Sequence, residues 1–268
     1  MISGDRDAAS AQAPDGQTPD EPPVGTRADA DEDKSLPLWQ ETILLLAIAL
    51  GLAVLIKALL VQAFSIPSES MEPGLLVNDR ILVQKVSYWG GGSPERGDVV
   101  VFKDPGGWLG PADSAGPTSL IARGMTKIGL YPTGGHLVKR VIGIEGDVIT
   151  CCDAKGRISV NGMPMQEGGY VKDAKTKCNG PMTDTCEWST GPIPEDRIFV
   201  MGDNRGRSAD STVHLCEDER TGCAPGEEFV PVDLVVGKVF VLLWPSDHFR
   251  WVTRPDSFAD VPDSPGNE

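Results

Sequence analysis

The three histidines, His136, His214 and His248, lie far apart along the chain. None belongs to a metal-ligand or Ser–His–Asp pattern, so each reads as a surface residue. No G-x-S-x-G elbow, H-E-x-x-H helix, S-x-x-K box or Walker or Rossmann glycine pattern occurs. The chemistry left to consider uses hydroxyls and amines. Ser68 and Ser70 lie in Ser65-Ile66-Pro67-Ser68-Glu69-Ser70-Met71-Glu72-Pro73, a turn bounded by prolines. Lys139 lies in the apolar run Leu137-Val138-Lys139-Arg140-Val141-Ile142. A serine hydroxyl becomes a nucleophile when a neighbouring base takes its proton. By residue type alone, however, these are surface serines and a solvated Lys–Arg pair.

The elements that must position such groups are short and β-branched. Residues 81–89, 98–102, 137–144, 157–160, 197–201 and 238–244 read as strands between Gly, Pro, Asn and Asp turns. Asn161-Gly162 follows one of them directly and predicts a type I′ hairpin. Only residues 117–130 suggest a short helix. The expectation is a mainly β domain, a folded or coiled antiparallel sheet, with Gly/Pro-rich insertions over 103–136 and 163–196.

Upstream, Thr42 to Phe64 forms 23 residues whose one charge is Lys57. As a helix they would span roughly 34 Å, enough for a hydrocarbon core of about 30 Å. Val61-Gln62-Ala63 resembles a signal cleavage site, but the preceding tail is long and acidic where a signal peptide starts short and basic. The expectation is an uncleaved, single-pass anchor over 37–64. Lys and Arg in its flanks leave the orientation undecided.

Charge divides the rest. The 268 residues carry a formal net charge of −15. Of this, −6 lies in residues 1–36 and −3 in 253–268, leaving −6 for 65–252. Both ends are rich in Pro, Asp, Ala and Gly and read as disordered tails, the first cytoplasmic. Residues 65–252 read as the catalytic domain. So acidic a chain excludes a phosphate-backbone binder, and no nucleic-acid partner is expected. All six cysteines (Cys151, Cys152, Cys178, Cys186, Cys216 and Cys223) follow the span, and none forms a C-x₂-C pattern. Their even number suits an oxidising compartment. Local bridges Cys178–Cys186 and Cys216–Cys223 are the simplest of fifteen pairings.

Read together, four boxes in order after one anchor carry a specific resemblance. They are the Ser65–Pro73 segment, Arg96-Gly97-Asp98-Val99-Val100-Val101-Phe102, Leu137–Gly143 with Gly146-Asp147, and Met201-Gly202-Asp203-Asn204-Arg205 with Ser208-Ala209-Asp210-Ser211. The chain resembles the bacterial type I signal peptidases (leader peptidases) over residues 42–245, apart from the two insertions. The resemblance implies Ser70 as nucleophile and Lys139 as general base. A free lysine titrates near about 10.4 and is charged at neutral pH, so burial must favour its neutral form. It further implies Ser208 orienting the lysine, and Ser68 with the Ser70 N–H binding the oxyanion. Asp203 and Asp210 would be structural groups near the site. Ile66, Met71, Leu75, Leu137 and Val138 would line shallow pockets that admit small side chains.

By the same resemblance, the substrates are secretory preproteins, cut after small-x-small (Ala-x-Ala) sites. The enzyme would sit in cytoplasmic membrane lipid with its catalytic domain outside, using no metal or cofactor. One departure stands out. Thr212 takes the place of an arginine that usually pairs with the Asp210 position, so that support is missing or supplied elsewhere. Two other readings compete: a Ser–Lys self-cleaving regulator and a catalytically silent anchored binding module.

Overall fold

The computed structural model describes residues 37–110, 135–172, 187–216 and 224–263. Helix α1 covers Leu38–Leu60, with Glu41 in its first turn, where a negative charge complements the helix dipole. From Leu38 to Leu55 its leucines and isoleucines are exposed. The window Leu38–Leu55 has a mean hydropathy of 2.0, and none of it is buried. Among the described residues this is the one helix long and apolar enough to cross a membrane.

The expected span to residue 64 ends sooner. Val61–Ser65 is strand β1, pairing antiparallel with β2 (Arg80–Gln84). Alternation explains the switch, since Gln62 and Phe64 point inward while Ala63 and Ser65 are exposed. The expected strand over 81–89 stops at Gln84, and Val86–Tyr88 forms a 3-10 turn.

The remaining strands are β3 (Val99–Lys103), β4 (His136–Gly143), β5 (Ile149–Cys151), β6 (Ser159–Val160), β7 (Met163–Pro164) and β8 (Trp188–Ser189). They continue with β9 (Arg197–Met201), β10 (Val230–Pro231), β11 (Val235–Trp244) and β12 (Arg250–Trp251). The larger sheet runs β1-β2-β11-β3-β4-β9-β10, with β12 on β11, and all its pairs are antiparallel. Register shifts along β11 and between β4 and β9 bend and coil it. The smaller sheet, β7-β6-β5-β8, contains the expected hairpin. Val160 faces Met163, and Asn161 and Gly162 between them both have positive φ.

Alternation divides the core. In β3, Val99 and Val101 enter one apolar cluster, while Val100 and Phe102 enter another. In β9, Ile198 and Val200 face the second cluster, and Phe199 and Met201 a third beneath the smaller sheet. Both faces of these strands are therefore covered, which is why they read as continuous apolar runs.

The expected tail from 253 does not begin there. Phe258 and Val261 are buried in the third cluster, and Asn161 Nδ2 donates to the Pro262 carbonyl at 2.9 Å. One aromatic and one valine tie this Pro/Asp-rich stretch to the domain through residue 263. The suggested helix over 117–130 lies outside the described residues. So do Cys178, Cys186 and Cys223. Cys151 and Cys152 are bonded to each other, a pairing the local-bridge expectation did not include, and Cys216 is disulfide-bonded.

Candidate active site

After β1, the chain turns at Ile66, whose N–H donates to the Asp79 carbonyl and whose carbonyl accepts from Asn78 N–H. Pro67 and Ser68 lead into a 3-10 turn over Glu69–Met71 that buries Ser70 and Met71. The turn is fixed from across the sheet. Asn204, just past β9, donates its N–H to the Ser70 carbonyl at 3.0 Å and its Nδ2 to the Glu69 carbonyl at 3.1 Å. This approach leaves no room at Gly202, where a Cβ would run into the Ser70 carbonyl and the Ser208 side chain.

Lys139 reaches the same point from β4. It shares a face with Leu137 and Val141 and stands opposite Val100 of β3. Its side chain is 4% exposed, and Nζ lies 2.9 Å from Ser70 Oγ. Burial pushes the amine down from 10.5 to about 8, against the pull of the Asp210 and Asp203 carboxylates, which favour the ammonium. Ser68 Oγ lies 3.2 Å from Ser70 Oγ, so in this state the two hydroxyls bond to each other.

Ser208 departs from the expectation. Its hydroxyl is fully buried beside Gly202 and has no hydrogen-bond partner among the described residues, so the bond to Lys139 is not made here. Alternation does send Arg140 to the opposite face, but it is not solvated. It is 5% exposed and grips Asp203 through Nε and Nη2 at 2.8 and 2.7 Å. It also donates to the Gly97 carbonyl and lies over the Tyr170 ring at 4.7 Å.

Asp210 needs no arginine. Its Oδ2 accepts from Gly202 N–H at 2.8 Å, and its Oδ1 accepts from the Thr212 hydroxyl at 2.6 Å and Thr212 N–H at 3.1 Å. Thr212 thus supplies two of the donors that hold this buried carboxylate.

Ser70 and Lys139 open onto a cleft of about 530 Å³ lined by Ile66, Met71, Leu137 and Val138. Leu75 is not in it. Leu75 sits under the nucleophile turn and faces a separate cavity of about 770 Å³ with Val99, Arg140 and Asp203. Sequence reasoning missed Trp108, Leu109, Arg207 and Ala209, which also line the cleft. Trp108 and Leu109 belong to the Gly-rich insertion after β3, where an isolated apolar pair was the available signal. Asp104 anchors that turn by accepting from the N–H groups of Gly106, Trp108 and Leu109.

The histidines are placed elsewhere or at the rim. His214 stacks on Trp108 at 4.4 Å, and burial lowers its pKa. His248 Nδ1 lies 3.1 Å from Asp79 Oδ1. His136 packs beside Phe64 and borders the cleft. Among the described residues no group of three or more His, Cys, Asp or Glu side chains could hold a metal ion.

Comparison with known proteins matches residues 39–244 to a family model described as signal peptidase, peptidase S26. Signal peptidase I of Mycobacterium tuberculosis is 36% identical over 259 residues, covering 89% of this chain and 84% of that protein. A probable signal peptidase I of Mycobacterium leprae is 35% identical, covering 83% and 81%. Signal peptidase I of Leptolyngbya laminosa is 29% identical, covering 94% and 100%. The chain therefore belongs to the signal peptidase family, peptidase S26, a family of serine endopeptidases.

Proposed function

We propose that the chain is a membrane-anchored serine endopeptidase that removes signal peptides from exported preproteins after small-x-small sites, using Ser70 and Lys139 as its catalytic pair. The observation that carries this reading is the 2.9 Å contact between a buried amine and a buried hydroxyl at the mouth of an apolar cleft. No metal or cofactor is required.

In the proposed reaction the neutral Lys139 amine takes the Ser70 proton as Oγ attacks the scissile carbonyl. The oxyanion that forms is held by the Ser70 N–H and by the Ser68 hydroxyl, which must turn away from Ser70 Oγ to reach it. Lys139, now an ammonium, gives its proton to the leaving amine, and the carbon–nitrogen bond breaks. A water molecule then attacks the acyl-enzyme as Lys139 takes its proton. The bond from the acyl carbon to Ser70 Oγ breaks, Lys139 returns the proton to Oγ, and the signal peptide leaves with its new carboxylate.

Substrate would bind as an added strand. β4 pairs with β9 from Arg140 onward, so the edge over Leu137–Lys139 carries no strand among the described residues. An extended peptide between that edge and residues 64–67 would read the backbone through main-chain bonds. Ile66, Met71, Leu137 and Val138 would then limit its side chains. α1 serves as the anchor, supported by its unburied apolar surface. An extracytoplasmic domain suits the disulfide-bonded cysteines. A silent binding module had one supporting feature, Thr212, and the bonds of Thr212 to Asp210 remove it.

The test is incubation of the detergent-solubilised full chain with a preprotein, followed by mass determination of the new amino terminus. The expected result is one cut after a small-x-small site, lost in Ser70→Ala and in Lys139→Ala. Cleavage that persists in Lys139→Ala would sink the Ser–Lys pair. Cleavage of this chain alone, with the preprotein untouched, would favour the self-cleaving regulator.

A further inference from the structure

The cleft contains one permanently charged side chain among the described residues. Apart from Lys139, whose role requires it neutral, its lining is apolar or uncharged except for Arg207. Arg207 closes the 3-10 turn Arg205–Arg207 that follows β9. Asn204, at the start of that turn, binds the nucleophile turn through the Ser70 and Glu69 carbonyls. Arg207 and Ser70 thus line the same cleft.

Its position along the cleft follows from the strands. Leu137 and Val138 precede Lys139 on β4 and would flank the residues before the scissile bond. Beyond Lys139, β9 covers β4, starting with Arg140 opposite Met201, and the chain leaving β9 carries Arg207. In the proposed binding mode, the polypeptide that leaves with the new amino terminus would pass this side.

The guanidinium has donors to spare. Nη1 donates to Glu69 Oε2 at 2.7 Å, with the two side chains 70% and 45% exposed. So exposed a pair is weak in water, and a guanidinium offers five N–H donors in a planar fork that matches a carboxylate. Glu69 is outside the cleft lining and Arg207 belongs to it, so the contact to Glu69 leaves the other guanidinium donors for a ligand in the cleft.

We propose that Arg207 is a specificity-determining residue that binds an acidic side chain within the first two residues after the scissile bond. This rests on the reading of Ser70 as nucleophile and of residues 64–67 and 137–139 as the flanks of the signal-peptide side.

The test uses peptides that share one small-x-small site and differ only in Asp or Asn at the first or second position after it. The parent enzyme should favour Asp over Asn by about fivefold in kcat/KM at low ionic strength, fading as salt screens the pair. Arg207→Gln should bring the Asp/Asn ratio to about one, Arg207→Lys should restore part of it, and Arg207→Glu should invert it. Glu69→Gln should raise the ratio by releasing the guanidinium. A parent enzyme that cleaves the Asn peptide but shows no Asp preference overturns the proposal, and so does a preference unchanged in Arg207→Gln. A parent enzyme that cleaves neither peptide overturns the peptidase reading itself, and the proposal with it.

Discussion

Titration of Lys139 decides whether the proposed chemistry can run near neutral pH. Burial lowers the amine from 10.5 to about 8, which corresponds to about 3 kcal/mol between its charged and neutral forms. At pH 7 about one amine in ten is then neutral, against about one in 3000 for a free lysine, a gain of roughly 300-fold in competent enzyme. The perturbation is pH itself, from 5 to 11, on a peptide with no titrating group in that range. Below pH 8, kcat/KM should rise about tenfold per pH unit and then level off. The position of that limb should survive replacement of His136, His214 and His248 by glutamine, whose parent imidazoles titrate near about 6.5 when free.

Stability gives an independent reading of the same group. Between pH 8 and 10.5 the unfolded chain holds a proton that the folded amine has released. This lysine should therefore add up to about 3 kcal/mol of stability as pH rises through that window, and the increment is lost as pH falls back to 8. Denaturant unfolding of the parent and of Lys139→Met should show the rise in the parent alone. The reasoning fails if the kinetic limb sits near 10.5, if it vanishes in the histidine-free variant, or if the two stability curves run parallel.

Two further outcomes follow from the packing. Gly202→Ala should lower kcat/KM by at least tenfold in the peptide assay and cost about 1–3 kcal/mol in denaturant unfolding, because the new methyl must displace the Ser70 carbonyl. Normal activity in that variant would mean that the nucleophile turn yields easily. Thr212→Val removes one of the two Thr212 donors to Asp210 and should cost about 1–3 kcal/mol, read by the same unfolding measurement. A neutral result would show that the buried carboxylate finds another donor.

Much of the fold could be read from pattern because the sheet leaves clear marks on the sequence. Val99–Phe102 and Ile198–Met201 are apolar at every position because clusters lie on both faces of each strand. Asn161-Gly162 names its own turn, since two successive positive φ values leave few other choices. Strand β1 was hidden because its apolar residues continue the helix's own run, and period two is hard to see in five residues. The end of the domain was hidden for the opposite reason, since Phe258 and Val261 are too sparse to form a pattern. The site is less legible still. Ser70 and Lys139 are 69 residues apart, and Asn204 reaches the Glu69 carbonyl across 135. Periodicity could put Lys139 on the face of Leu137 and Val141, but nothing in residue spacing says which turn closes over that face. Only the ordered boxes pointed to Ser70, and order along a chain carries no side-chain geometry. Hence Leu75 was grouped with a cleft it does not reach, and Ser208 with a lysine it does not bond. Thr212 runs the other way. Judged against an expected arginine it marks a missing ion pair, yet its N–H and hydroxyl satisfy the same oxygen of Asp210 from two residues away. A buried carboxylate needs donors rather than a particular cation.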